Sequence, residues 1–150
     1  MSNESTLVLI KPDGVNRGLA GKVIDRLEST GLKIIGMKLL LIDKDLASNH
    51  YGEHKDKPFF SSLVDFITSS PVVALALNGE NAIQKTRTMM GVTNPLESKP
   101  GTIRGDFGLT VEKNIIHGSA NQEDASKELS LYFNDDELID YQRSIDLWVE

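Results

Sequence analysis

An α+β fold is predicted by three features of the chain: its size, the order of its apolar segments, and the change of hydrophobic period along it. At 150 residues and 39% hydrophobic, the chain has material for one domain with a sizeable core. Short apolar runs bounded by turn residues alternate with segments of helical period, in the order β-α-β-α-α-β-α-β-α. That order resembles a split βαβ, ferredoxin-like sandwich: a four-stranded antiparallel sheet with helices packed on it. Residues 1–150 are expected to form a single domain.

Each element has its own signal. "TLVLIK" (6–11) is a short apolar run ended by "PDG", hence a buried strand leading into a turn. In "AGKVIDRLESTG" (20–31), Val23, Ile24 and Leu27 share one face and the charges the other, with Gly31 as the stop of an amphipathic helix. "LKIIGMKLLLI" (32–42) reads as a strand with Gly36 marking a bulge. Asp43 is a cap residue, and the helix it starts is expected to run to Gly52. A further helix follows Pro58 and closes at Pro71. "VVALALNG" (72–79) is a strand, and "ENAIQKTRTMMG" (80–91) a helix ending on glycine. Residues 92–110, with two prolines and three glycines up to "DFGL", keep no period, and a loop of that length inside a compact domain is usually functional or disordered. "VEKNIIHG" (111–118) reads as the last strand, and "EDASKELSLYF" (123–133) as the last helix. The tail, about 134–150, is polar but carries Tyr141, Ile145, Leu147 and Trp148, so it is expected to dock on its own domain or on a neighbouring subunit.

Composition narrows the function classes. A formal charge of −6 disfavours non-specific adsorption to nucleic acid or anionic membrane. The absence of cysteine rules out disulfides and thiolate metal sites. The start, "MSNESTLVLIKPDG", has neither the basic region nor the long apolar region of a signal peptide, and no apolar run approaches the roughly 20 residues that span a bilayer. A cytoplasmic protein needing neither membrane nor nucleic acid is the expectation.

Phosphate chemistry is suggested by cations near element ends. "GVNRGLAGKV" is not a P-loop: the Walker spacing requires Gly where Asn16 stands and Ser or Thr where Val23 stands. Lys11 ends a strand, Arg87 lies late in a helix, and Arg104 lies in the long segment, where Thr93 adds a hydroxyl. Guanidinium forks suit polyphosphate oxygens, although each cation alone also reads as a solvated surface side chain. His50 and His54 match the H-x-x-E-H pattern of inverted zinc proteases, but Gly52 weakens a helix at the middle of it. His117 in "NIIHGSA" stands at a strand end. On spacing alone it is either a hydrogen-bonded core residue or an attacking group whose tautomer Glu128, two turns into the next helix, would fix.

Taken together, "KPDGVNRG", "HY" with "KPFF", "TNPLESKPGTIRGDF" and "NIIHGS", in this order and over essentially the whole chain, resemble the nucleoside diphosphate kinase family. The resemblance implies a ping-pong phosphotransferase in which His117 carries the γ-phosphoryl from a triphosphate such as ATP or GTP to a diphosphate such as ADP or GDP. It makes Lys11, Arg87, Thr93 and Arg104 phosphate and sugar contacts, Asn114 a ribose-binding amide, and Phe59 the aromatic that stacks on the base. Tyr51 becomes the phenol near the lysine, and Ser119 and Glu128 the residues that position the histidine. It also implies Mg²⁺ held mainly by nucleotide phosphates without a protein ligand, broad base tolerance, and a homo-oligomer, hexamer rather than tetramer. One position departs from the family pattern His-Gly-Ser-Asp: Ala120 stands where Asp is usual. A metalloprotease and a single-strand-binding module on the same fold are the rival readings. Stoichiometric zinc would mark the first and steep salt dependence the second.

Overall fold

The computed structural model describes residues 3–150. Four strands, β1 (Asn3–Ile10), β2 (Lys33–Leu40), β3 (Val72–Glu80) and β4 (Ile116–Gly118), form one sheet in the order β2-β3-β1-β4, antiparallel at every pairing. The expected split βαβ, ferredoxin-like sheet is thus the observed one. Gly36 sits at a bulge: Ile34 pairs with Leu77 and Gly36 with the next residue, Ala76, leaving Ile35 unmatched.

Side-chain alternation in the two central strands builds two cores. Val8, Ile10, Leu75 and Leu77 point to the face covered by α2 (Ala20–Glu28) and α5 (Ala82–Met90), where Val23, Leu27, Ala82 and Met90 join them. Leu7, Leu9, Ala74 and Ala76 point to the opposite face, closed by α3 (Lys44–His50), α4 (Phe60–Ile67) and α7 (Gln122–Tyr132). Helices therefore cover both faces of the sheet.

Helix ends follow the capping chemistry of the sequence. The Asp43 carboxylate accepts from Leu46 N (2.8 Å), and the Asn121 amide oxygen accepts from Asp124 N (2.8 Å). Gly91 ends α5 at φ 90°, a conformation that suits glycine.

Several boundaries differ from the sequence expectation. Pro12–Asn16 forms a short helix, α1, where "PDG" was expected to be only a turn, because Pro12 is preset for a first helical position. The segment 92–110 contains a 3-10 turn at Pro95–Glu97 and α6 (Ile103–Phe107), capped by Thr102 whose hydroxyl accepts from Gly105 N (3.0 Å). The helix expected to run to Gly52 stops at His50, and Gly52–His54 is a separate 3-10 turn. The last strand is three residues long rather than eight, because the chain turns sharply at Ile115.

Beyond α7 the chain returns to β2. Ile139 N donates to Ile35 O (2.8 Å), the Arg143 guanidinium to Gly31 O (2.9 Å) and Leu32 O (3.3 Å), and the Tyr141 hydroxyl to Ile34 O. Leu147 and Trp148 remain 87% and 85% exposed. Among the described residues no helix is long and apolar enough to cross a membrane.

Candidate active site

Sheet alternation decides where His117 points. It pairs with Leu9 of β1, so its ring enters the α3–α4–α7 layer, while its neighbour Ile116 pairs with Ile10 and fills the other core. In that layer α7 presents Glu128. His117 Nε2 donates to Glu128 Oε1 (2.9 Å), and the buried Ser119 hydroxyl donates to the same oxygen (2.8 Å). Burial by itself would raise the Glu128 carboxyl. The bond from His117, its charge and the Ser119 hydroxyl outweigh that and hold it below the ordinary carboxylate range. An ionised carboxylate only accepts, so the proton of a neutral His117 lies on Nε2 and the lone pair on Nδ1.

The turn before β4 is built against strong local resistance. Ile115 has φ 76°, rare for a β-branched residue, and Ile116 N donates to Asn114 O (2.8 Å), closing a three-residue turn. Distant groups hold it. Ile115 N donates to Asp13 Oδ2 (3.1 Å), and Lys11 N to Ile115 O (2.7 Å). The buried Arg104 guanidinium donates to Asn114 O (3.2 Å), Gly91 O (3.3 Å) and Ile116 O (2.6 Å). Gly118 is needed where α5 crosses β4: a Cβ there would lie 2.5 Å from Met90 Sδ.

The expected phosphate-binding residues gather around this turn. Lys11 Nζ donates to Asn114 Oδ1 (2.8 Å), and the Asn114 amide donates to Thr93 O (3.0 Å). Arg87 Nη1 donates to Gly118 O (3.0 Å), next to His117. Burial, then repulsion from Arg104, lowers the Lys11 ammonium to about 8, with Asp13 opposing. Burial and Arg87 lower Arg104 to about 10, which leaves it charged at neutral pH. Tyr51 is raised to about 12 by burial and Glu128, so its phenol keeps its proton.

Two hollows meet here. One, of about 270 Å³, is lined by His117, Glu128, Arg87, Arg104 and Asp124. The other, of about 500 Å³, is mostly apolar and lined by Phe59, Leu63, Phe66, Val111, Lys11 and Asn114. Tyr51 and Thr93 line both, so the hollows adjoin. An end that presents Arg87 and Arg104, beside an apolar slot containing a 46% exposed aromatic ring, suits a phosphorylated, ring-bearing molecule.

Three groups, Asp13, His50 and Tyr132, have roles here that the sequence does not assign to them. Asp13 anchors the Ile115 turn, and its Oδ1 is buried without a partner. His50 does not pair with His54 on a helix face, as the zinc-protease pattern would require. It is buried, its Nδ1 lies 2.7 Å from the Tyr132 hydroxyl, and its ring meets His117 edge-on at 4.7 Å. Burial and then His117 push the His50 imidazole down to about 3, so it is neutral. Burial, then Tyr51 and Glu128, raise Tyr132 well above the ordinary phenol range. A signal for His50 existed: it follows Leu46 and Ala47 by four and three residues, on the helix's inward face. Nothing local tied Asp13 to a turn a hundred residues away.

Comparison with known proteins agrees with this geometry. Residues 4–138 match the family model described as nucleoside diphosphate kinase. The chain is 55% identical over 146 residues to the nucleoside diphosphate kinase of Archaeoglobus fulgidus, covering 97% of each. It is similar to the halophilic nucleoside diphosphate kinase of Halobacterium salinarum in complex with CDP, at TM-score 0.95 and 49% identity, covering 99% of both chains. It also resembles the transition-state mimic of the Borrelia burgdorferi enzyme with bound vanadate and ADP, at TM-score 0.92 and 37% identity, covering 98% of this chain and 96% of that one. A histidine set by a carboxylate in a hollow lined by two arginines, on this sheet and with these relatives, leads to one conclusion: the chain belongs to the nucleoside diphosphate kinase family and is a phosphotransferase.

Proposed function

We propose that the chain transfers the γ-phosphoryl of a nucleoside triphosphate, typically ATP, to a nucleoside diphosphate in two half-reactions joined by a phosphohistidine at His117. The observation that carries this reading is the bond from His117 Nε2 to Glu128, which leaves the Nδ1 lone pair on a side chain lining the hollow beside Arg87 and Arg104. In the first half-reaction Nδ1 attacks the γ-phosphorus, the bridging P–O bond breaks, and the diphosphate leaves with that oxygen. In the second, a terminal phosphate oxygen of another diphosphate attacks the same phosphorus and the P–N bond breaks. Such transfers require positioning and neutralisation of spreading charge more than covalent help. Lys11, Arg87 and Arg104 supply positive charge, Thr93 a hydroxyl, and the protonated Tyr51 phenol a donor. Glu128, oriented by Ser119, steadies the imidazolium character that develops on attack.

Phe59 offers a stacking surface in the apolar hollow, and Asn114 a polar handle for the ribose. Recognition through stacking reads no base edge, which favours broad tolerance among ATP, GTP, ADP and GDP. The CDP and ADP carried by the two related structures support a nucleotide in this role. Mg²⁺ fits as an ion carried by the phosphates. Glu53 and Asp124 line the His117 hollow and offer hard oxygens to its water shell, and the ion would neutralise phosphate charge when bound. We assign a cytoplasmic homo-oligomer, hexamer rather than tetramer. The exposed Leu147 and Trp148 of the tail and Met37 and Leu39 of edge strand β2 support association between copies.

The test is incubation with γ-labelled ATP and Mg²⁺ without acceptor. Acid-labile, alkali-stable label is expected on the protein, absent from His117→Ala and released by any nucleoside diphosphate. Label that persists in His117→Ala would overturn the mechanism.

A further inference from the structure

We infer that the chain carries an inhibitory site for a borderline-soft divalent cation such as Zn²⁺, formed by His50 Nε2, His117 Nε2 and a carboxylate oxygen of Glu128. One ligand atom from each of the three residues, on α3, β4 and α7, lies within 4.8 Å of the other two. Glu128 Oε1 is 2.9 Å from His117 Nε2, and Oε2 is 3.6 Å from His50 Nε2. Two imidazoles and one carboxylate are a donor set that binds zinc with a position left open, and one that magnesium does not favour.

A second observation points to a ligand. His50 Nε2 is buried and has no hydrogen-bond partner, although its side chain is only 2% exposed and faces the Glu128 carboxylate. His50 Nδ1 is engaged by the Tyr132 hydroxyl at 2.7 Å. With the proton on Nδ1 and donated to Tyr132, Nε2 presents a lone pair, the arrangement metal-bound histidines adopt. Two imidazole nitrogens offer lone pairs, and the Glu128 carboxylate brings negative charge to offset the cation. All three residues line the hollow that opens beside Arg87, so a hydrated ion has a route in. The nearby Arg87 and Arg104 oppose a dication, so micromolar rather than nanomolar affinity is expected.

Occupancy would stop the proposed reaction by a tautomer change. Coordination requires the lone pair of His117 on Nε2, so the ring proton moves to Nδ1 and the attacking nitrogen becomes an N–H. Glu128 leaves its bond with His117 for the metal, and no net proton is released. This consequence rests on the phosphohistidine reading; the metal site itself does not.

The experiment uses the wild-type protein without nucleotide, titrated with Zn²⁺ and followed by ¹⁵N imidazole NMR and by competition with a chromophoric chelator. With three histidines and no cysteine the background is simple. One equivalent per chain is expected, shifting Nε2 of His50 and of His117 and leaving His54 unchanged. His50→Gln should weaken binding by more than about tenfold, whereas His54→Ala should not. Zinc-loaded protein given trace γ-labelled ATP with Mg²⁺ should lose label incorporation in proportion to bound metal, and regain it on chelation. Binding at His54, no stoichiometric binding at micromolar zinc, or an unmoved His50 ring would overturn the site. If the metal binds as expected but labelling is unchanged, the tautomer argument falls and the site stands.

Discussion

β1 and the segment leading into β4 lie side by side in the sheet and are held by opposite means. Leu7 to Ile10 of β1 are fully buried, paired with β3 on one side and mostly with β4 on the other, and each side chain belongs to one of the two apolar cores. Asn114 to Ile116 are also buried, yet they adopt a turn with φ 76° at Ile115. Their polar backbone is satisfied largely by Arg104, Asp13 and the Lys11 backbone, from elements about ten to a hundred residues away. Redundant apolar contact sustains the first; a few specific long-range bonds sustain the second. Regular structure tolerates the loss of a partner better than an irregular buried turn, whose orphaned groups have no water to replace it.

The largest effect that would test this contrast is Arg104→Ala. It removes a donor from Asn114 O and Ile116 O, both buried, and from the part-buried Gly91 O, and about 3 kcal/mol or more of stability should be lost in denaturant unfolding, with phosphoryl transfer lost as well. A loss below about 1 kcal/mol would break the comparison. Next, Ile115→Gly and Ile116→Gly remove the same side chain from the same core, but only the first relieves a left-handed residue. Ile116→Gly should cost more by about 1–3 kcal/mol, and equal costs would mean the turn stores no strain.

A smaller effect concerns pH. Lys11 is lowered to about 8, so it is charged below that pH and neutral above it, and kcat/KM should fall by up to about tenfold per pH unit as pH rises past 8. Lys11→Arg should move that limb upward. The same shift acts on stability: between about 8 and 10.5 the unfolded chain holds this proton more tightly, so the lysine's contribution to stability rises with pH there. The smallest effect is Ala120→Asp, which places an acid just before the Asn121 cap of α7. A gain of about 0.3–1 kcal/mol in thermal stability is expected from the helix dipole, and no gain would show that Asn121, Glu123 and Asp124 already saturate that end.

Much of the site was readable from residue types at spacings that local structure enforces. The His117–Glu128 pair follows from a strand end and a helix beginning five residues on, and Ser119 shares the same carboxylate oxygen. Asp13 and Tyr132 were not readable, because each acts on a group with which it shares no local pattern. His50 was readable in part. Its position on the apolar stripe of α3 predicts burial, but only the packing of α7 onto α3 reveals Tyr132 and Glu128 beside it.

By itself the sequence determined the two hydrophobic periods, the cap at Asp43, the bulge at Gly36 and, through whole-chain motifs, the family. These depend on neighbours within a turn or a strand, where backbone sterics and side-chain alternation leave few choices. Tertiary structure decided that Ile115 turns left-handed, that Arg104 is a buried clamp rather than a surface cation, and that His50 faces His117. Those outcomes depend on groups ten to a hundred residues apart meeting where water is excluded. The energy of an unpaired polar group there is set by the assembled fold and by nothing local.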